Sequence, residues 1–185
     1  MIYDEMSEKI IETAQSLVME NGSDNLNVRM ILRKMNITNR VFYNRFHNMN
    51  EVLAIVYKNI TATLRQSLEE ELDPKKDFFE QVMDMIEKSL LMSYDNKMQF
   101  NYYIFENDSQ SDSNYGWWTG KIKKLIEYAK SNKLIKDVDS EALSYSIWCF
   151  CRGYNADAVG RKLPKEEAVA KFRYSFNVLL EGLKI

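Results

Sequence analysis

Apolar residues recur every third or fourth position from one end of the chain to the other, the period of amphipathic helices. Residues 4–21 place Met6, Ile10, Ala14, Leu17 and Val18 on one side, carry acids early and meet Gly22 as a stop. Asn27 is a good N-cap for a short helix over 28–35, and Thr38 caps another that runs through Phe46. Only Asn36 and Ile37 separate the two, a spacing that predicts a helix-turn-helix. A long helix is expected over 50–72, with Leu53, Val56, Ile60, Leu64, Leu68 and Leu72 along one side. Asp73-Pro74 ends it and opens the next, over 75–92, with Asp as N-cap and Pro at the first helical position. Helices over 94–106, 117–132, 139–160 and 164–183 complete the pattern, and the polar stretch 107–114 reads as a mobile loop. The expected fold is all-α with about nine helices. A three-helix head occupies 1–49, and a larger helical domain for ligand binding and dimerisation occupies 50–185.

Composition narrows the class. The chain has 185 residues, 45% of them apolar, so disorder is excluded for the whole. Six glycines and two prolines are too few for a fold of many hairpins. No apolar run approaches the roughly 18–20 residues that span a bilayer. The acidic start Met1-Ile2-Tyr3-Asp4-Glu5 lacks the basic, then apolar, run of a signal peptide. A cytoplasmic chain without a membrane partner is therefore expected. Cys149 and Cys151 point to different faces of one helix, so they fit two buried thiols in a reducing compartment better than a bridge or a metal site. The lone His47 excludes a zinc centre built on two or three histidines, and no nucleophile–base pattern surrounds it. The common glycine-rich nucleotide loops are absent. Neither an enzyme nor a cofactor or metal is expected.

Net charge is −2, yet its distribution is uneven. Residues 1–26 hold Lys9 against six acids. Residues 27–50 hold Arg29, Arg33, Lys34, Arg40 and Arg45 with no acid at all, alongside Asn27, Thr38, Asn39, Tyr43, Asn44, His47 and Asn48. Such a segment suits phosphates and base edges. In a helix-turn-helix the second helix enters the major groove with its first residues against the bases, here Thr38, Asn39 and Arg40. Arg pairs with guanine and Asn with adenine through two hydrogen bonds each. The plainer alternative is a solvated cationic surface.

Within this segment a family resemblance becomes clear. Ile10-Ile-Glu-Thr-Ala-Gln-Ser-Leu-Val-Met-Glu-Asn-Gly22, Asn27-Val-Arg29, Ile37-Thr-Asn-Arg-Val-Phe-Tyr-Asn-Arg-Phe46 and Asn50-Glu-Val-Leu53 resemble the head of a tetracycline-repressor (TetR) family regulator. The resemblance implies a homodimeric, ligand-responsive regulator of double-stranded DNA, a repressor released by a small apolar or aromatic effector. It assigns DNA contacts to Asn27, Arg29, Thr38, Asn39, Arg40, Val41, Tyr43, Asn44 and His47. Phe42 and Phe46 pack instead against Leu17, Val18 and Ile31. The family often has a hydroxyl where Val41 stands and a Lys where Met49 stands, and small residues where Leu32, Met35 and Asn36 stand. Arg45 or His47 are the available replacements for the two phosphate contacts. The alternative is a co-regulator of the same fold that works through protein partners and binds DNA weakly.

In the body, Met and aromatic residues either fill a core or wall a cavity. The cavity reading assigns Met83, Ile86, Tyr102, Phe105, Trp117, Tyr128, Trp148 and Arg152 to the effector, with Arg152 facing an anionic group. The last two helices are apolar on more than one side. The family dimerises through them as a four-helix bundle, which assigns Ser146, Phe150, Gly153, Phe172, Phe176 and Leu179 to the interface. Two-fold symmetry then sets the heads about 34–36 Å apart on a near-palindromic operator.

Overall fold

The computed structural model describes residues 2–22, 26–69, 72–95 and 111–185. Among these residues it holds eight α-helices and no strand longer than one isolated bridge. They are α1 (Glu5–Asn21), α2 (Val28–Met35), α3 (Asn39–Tyr43), α4 (Met49–Ser67), α5 (Phe78–Asp95), α6 (Asp112–Ser131), α7 (Ser140–Gly160) and α8 (Lys165–Leu183). The helix expected over 94–106 lies largely outside the described residues, as does most of the polar stretch 107–114.

Two compact units follow from the packing. One holds α1–α4, and the other holds α5 as far as Leu91 together with α6–α8. In the first unit α1 packs against both α2 and α4. Its core gathers Ile10, Ala14 and Val18 from α1, Ile31 from α2, Phe42 and Phe46 from the α3 segment, and Val52 and Val56 from α4. The long helix α4, expected to open the body, thus shares the core of the head. Leu32, Met35 and Met49 are half-buried against that core.

Local chemistry sets the helix ends. Asp4 accepts from Ser7 N–H at 3.0 Å while Ser7 Oγ accepts from Asp4 N–H, a capping box that starts α1. Gly22 stops it at φ 81°. Asn27 caps α2 through Met30 N–H at 3.3 Å. Asn36 closes α2 in the left-handed region, φ 52° and ψ 46°, a conformation Asn tolerates well.

Several boundaries differ from expectation. Helix α3 ends at Tyr43, because Phe46 turns into the core and Asn48 already caps α4 through Glu51 N–H at 3.0 Å. Helix α4 ends at Ser67, well before Leu72. Asp73 does not cap α5. Its carboxylate accepts from Lys75 N–H at 2.9 Å in a separate turn, and Gln81 locks that turn by bonding Asp73 N–H and carbonyl. Asp77 caps α5 instead, through Glu80 N–H at 2.8 Å. Helix α6 starts at Asp112 rather than 117, because Ser111 caps it through Asn114 N–H.

In the second unit α6 packs along α7. Val82, Met83 and Ile86 of α5, Ile122, Ile126 and Ala129 of α6, Ile147 of α7 and Ala168, Phe172, Phe176 and Leu180 of α8 are buried. Arg173 of α8 ties that helix to α5 through Glu87 at 2.5 Å and through Glu80 and Asp84 at 3.2 Å each. Ile135 and Lys184 form the bridge that fixes the end of α8 to the turn after α6, with Lys136 N–H donating to the Leu183 carbonyl at 2.9 Å.

Candidate nucleic-acid interface and effector cavity

The head presents the turn as expected from its sequence. Asn27, Arg29, Thr38, Asn39, Arg40, Tyr43, Asn44 and His47 are exposed and Val41 is half-buried. Phe42 is fully buried and Phe46 nearly so, in the same core as Leu17, Val18 and Ile31. This burial explains why Phe42 and Tyr43 differ in role. They are adjacent on a short helix, so one ring anchors it while the other, 53% exposed, reaches solvent. Thr38 occupies the N-cap of α3 without a side-chain capping bond.

The segment's cations are not equivalent. Arg45 Nε and Nη2 grip both Asp4 oxygens at 2.8 and 2.5 Å, and Nη1 donates to the Val41 carbonyl at 2.9 Å. The guanidinium beside Asp4 holds that carboxyl well below its usual range, against the opposing effect of desolvation. Arg45 is thereby a brace between the start of α1 and α3. Its side chain is only 14% exposed, so it is poorly placed to replace a missing phosphate contact. Lys34 Nζ is held by Glu20 at 2.7 Å and Ser16 at 3.2 Å. Among the described residues no acid pairs with Arg29, Arg33 or Arg40. His47 N–H donates to Glu51 Oε2 at 2.7 Å, and its ring lies 3.3 Å from the same carboxylate. The acid-free segment therefore receives acids from α1 and α4 in space. Among the described residues three arginines of the segment are thus left without an acid partner, and Arg33 joins the expected set on its exposure alone.

In the second unit a cavity of about 40 Å³ opens among α5, α6, α7 and α8. Its walls are entirely apolar. Its lining comprises the buried Val82, Ile86, Ile122, Ile126, Ala129, Ile135, Ile147, Phe176 and Leu180 and the half-buried Phe78, Phe79, Leu125 and Leu183. Of the expected effector residues, Ile86 lines it. Tyr128 stacks on the lining residue Phe78, with centroids 5.7 Å apart. Met83 is buried outside the lining. Trp117 packs on Trp118 and Trp148 on Tyr115, away from the lining, because aromatic pairs satisfy one another edge-to-face. Arg152 is half-buried and also outside it, and Tyr102 and Phe105 lie outside the described residues.

The expected dimer residues divide. Phe172 and Phe176 are 1% and 0% exposed, stacked on each other at 5.7 Å, and so belong to the core of the single chain. Phe150 is half-buried against both. Ser146 and Gly153 of α7 are exposed with Cys149, at spacings that share one helix face. On α8, Leu179 is exposed with Val178 and Tyr174. Cys149 is thus not the buried thiol expected, whereas burial pushes the Cys151 thiol up to about 12.

The fold is that of TetR-family transcriptional regulators. A TetR-family regulator from Pectobacterium atrosepticum matches 98% of this chain and 95% of its own, at TM-score 0.76 and 19% identity. A TetR transcription regulator from Haloarcula marismortui matches 99% of this chain and 100% of its own, at TM-score 0.74 and 13% identity. A putative transcriptional regulator from Saccharomonospora viridis, solved in complex with choline, matches 96% of each chain at TM-score 0.71 and 17% identity. No family model and no curated protein matches the sequence. Among the described residues no helix is long and apolar enough to cross a membrane.

Proposed function

We propose that the protein is a cytoplasmic, ligand-responsive transcriptional regulator of the TetR family, acting as a homodimer on a near-palindromic operator, most simply as a repressor. The observation that carries the reading is the exposed face of the helix-turn-helix. Arg29, Arg33 and Arg40 are exposed there, with no acid paired to them among the described residues, beside Thr38, Asn39, Tyr43 and Asn44, while Phe42 and Phe46 hold α3 in place. Arg40 and Asn39 read base edges, and Arg29, Arg33 and Tyr43 contact phosphate. The dimer forms through Ser146 and Gly153 on α7 and Leu179, Val178 and Tyr174 on α8, which the single chain leaves uncovered. The body takes a small apolar effector. Its effect on DNA cannot exceed its differential affinity for the DNA-competent and DNA-incompetent conformations.

Fluorescence anisotropy with a labelled duplex across a salt series tests the reading. Affinity falls with a log–log slope of about −0.9 for each phosphate neutralised, and Arg29→Ala with Arg33→Ala flattens that slope. A slope near zero contradicts it.

A second reading, a co-regulator that acts through protein partners, draws on Val41 and Met49. Val41 offers no hydroxyl and Met49 no cation where the family often has them, and Arg45, one of the two replacements, is committed to Asp4. Duplex affinity that stays sequence-independent, with a protein that co-purifies, favours this reading over the first.

A further inference from the structure

Residues 2–4 precede α1, yet they are bonded to the far end of α3. Ile2 N–H donates to the Asn44 carbonyl at 3.2 Å. Ser7 Oγ donates to the Ile2 carbonyl at 3.3 Å. Two residues on, the Asp4 carboxylate accepts from Nε and Nη2 of Arg45, whose Nη1 donates to the Val41 carbonyl. Tyr3 thus stands between two residues that are each tied to the α3 segment. Neighbouring Cα atoms are about 3.8 Å apart, so its backbone has little freedom to leave that place.

The fold makes no use of its side chain. Tyr3 is 66% exposed, and among the described residues nothing bonds its hydroxyl. Of the acids beside it, Asp4 is held by Arg45, and Glu5 pairs with Lys9 at 2.7 Å. In a helix-turn-helix the first residues of the second helix meet the base edges. Asn44 follows Tyr43, the last residue of α3, so the Ile2 contact lies at the opposite end of that helix. Contacts outside the base-reading residues go mostly to phosphate and sugar, and a phenol O–H is among the groups that make them.

We propose that Tyr3 is a further DNA contact, its phenol donating a hydrogen bond to a backbone phosphate beside Asn44. The inference rests on the reading of the head as a DNA-binding unit and adds a residue from outside the helix-turn-helix. Such a contact positions the head and carries no sequence information.

The test is fluorescence anisotropy with the untagged full chain and a labelled duplex of mixed sequence, across a salt series. Tyr3→Phe removes only the hydroxyl. It is expected to weaken binding about tenfold. The slope of log affinity on log salt is expected to stay at the wild-type value, because a neutral donor releases no counterion. Tyr3→Lys puts a cation in the same place and is expected to steepen that slope by about 0.9 for each head bound. Gln66→Lys is the control. It adds the same charge at an exposed site about 25 Å along α4 from Met49, and is expected to keep the wild-type slope. Far-UV circular dichroism is expected to be the same for all three variants and wild type.

Wild-type affinity in Tyr3→Phe, a wild-type slope in Tyr3→Lys, or a slope steepened as much by Gln66→Lys as by Tyr3→Lys each overturns the proposal. A wild type without salt-dependent duplex affinity overturns it together with the DNA-binding reading. A wild type that binds, next to a Tyr3→Phe that binds equally well, removes Tyr3 alone and leaves that reading standing.

Discussion

Among the described residues Arg29, Arg33 and Arg40 pair with no acid, whereas Arg45 and Lys34 are paired within the head, Arg45 with Asp4 and Lys34, at the surface, with Glu20. Residue type does not separate the two groups; the neighbours do. Asp4 lies 41 positions before Arg45, and Glu20 lies 14 before Lys34, so no local spacing announces either pair. The brace has a pH signature. Arg45 first, then the Ser7 N–H, depress the Asp4 carboxyl in the folded chain. A depressed carboxyl contributes stability that is complete above its ordinary value of 3.8 and is lost as pH falls below it. Denaturant unfolding from pH 7 to pH 2 is expected to show Asp4→Asn less stable than wild type at neutral pH, with the gap closing below about pH 4. A constant gap across that range contradicts the assignment. The variant also releases Arg45, so its non-specific DNA affinity is expected to rise even as it loses stability.

At the scale of elements, the tight turn between α2 and α3 is the most constrained piece of the head. Asn36, the first residue of the turn, takes a left-handed conformation that a β-branched side chain resists. Asn36→Val is expected to cost about 1–2 kcal/mol in denaturant unfolding, and Asn36→Gly to be near neutral. Equal costs for the two contradict the role of backbone conformation there.

This turn, the stripes of α1 and α4 and the cap Asn27 were legible in the sequence, because helix period and capping act over a few residues. The end of α4 and the start of α5 were not. Asp73-Pro74 satisfies a capping rule locally, but Gln81, one turn inside α5, reaches back and fixes it as a separate turn. The effector residues were hardest to read. Aromatic density signals a wall or a core equally, and here Trp117, Trp118, Tyr115 and Trp148 pair among themselves while aliphatic side chains with Phe78, Phe79 and Phe176 surround the space.

For the whole molecule, the proposed regulation calls for a dimer, and burial sorts which side chains the single chain leaves exposed to make one. Phe172 and Phe176 complete the core of a single chain; Gly153, Ser146, Val178 and Leu179 do not. Nothing lies within 4 Å of a Cβ built on Gly153, so the folded chain has room there for a larger side chain. Gly153→Trp is expected to keep its helical circular dichroism and to sediment as a monomer where the wild type sediments as a dimer. A dimer that survives this substitution places the interface elsewhere.

The most direct test of the account is selection of duplexes from a random pool by the full chain, read by sequencing, for wild type and for Arg40→Ala. The account predicts enrichment of a near-palindrome with half-sites about one helical turn apart, and loss of preference at one base position per half-site in Arg40→Ala, worth about 1–3 kcal/mol. A pool that emerges with no preferred sequence, or a variant that weakens every sequence alike, contradicts it.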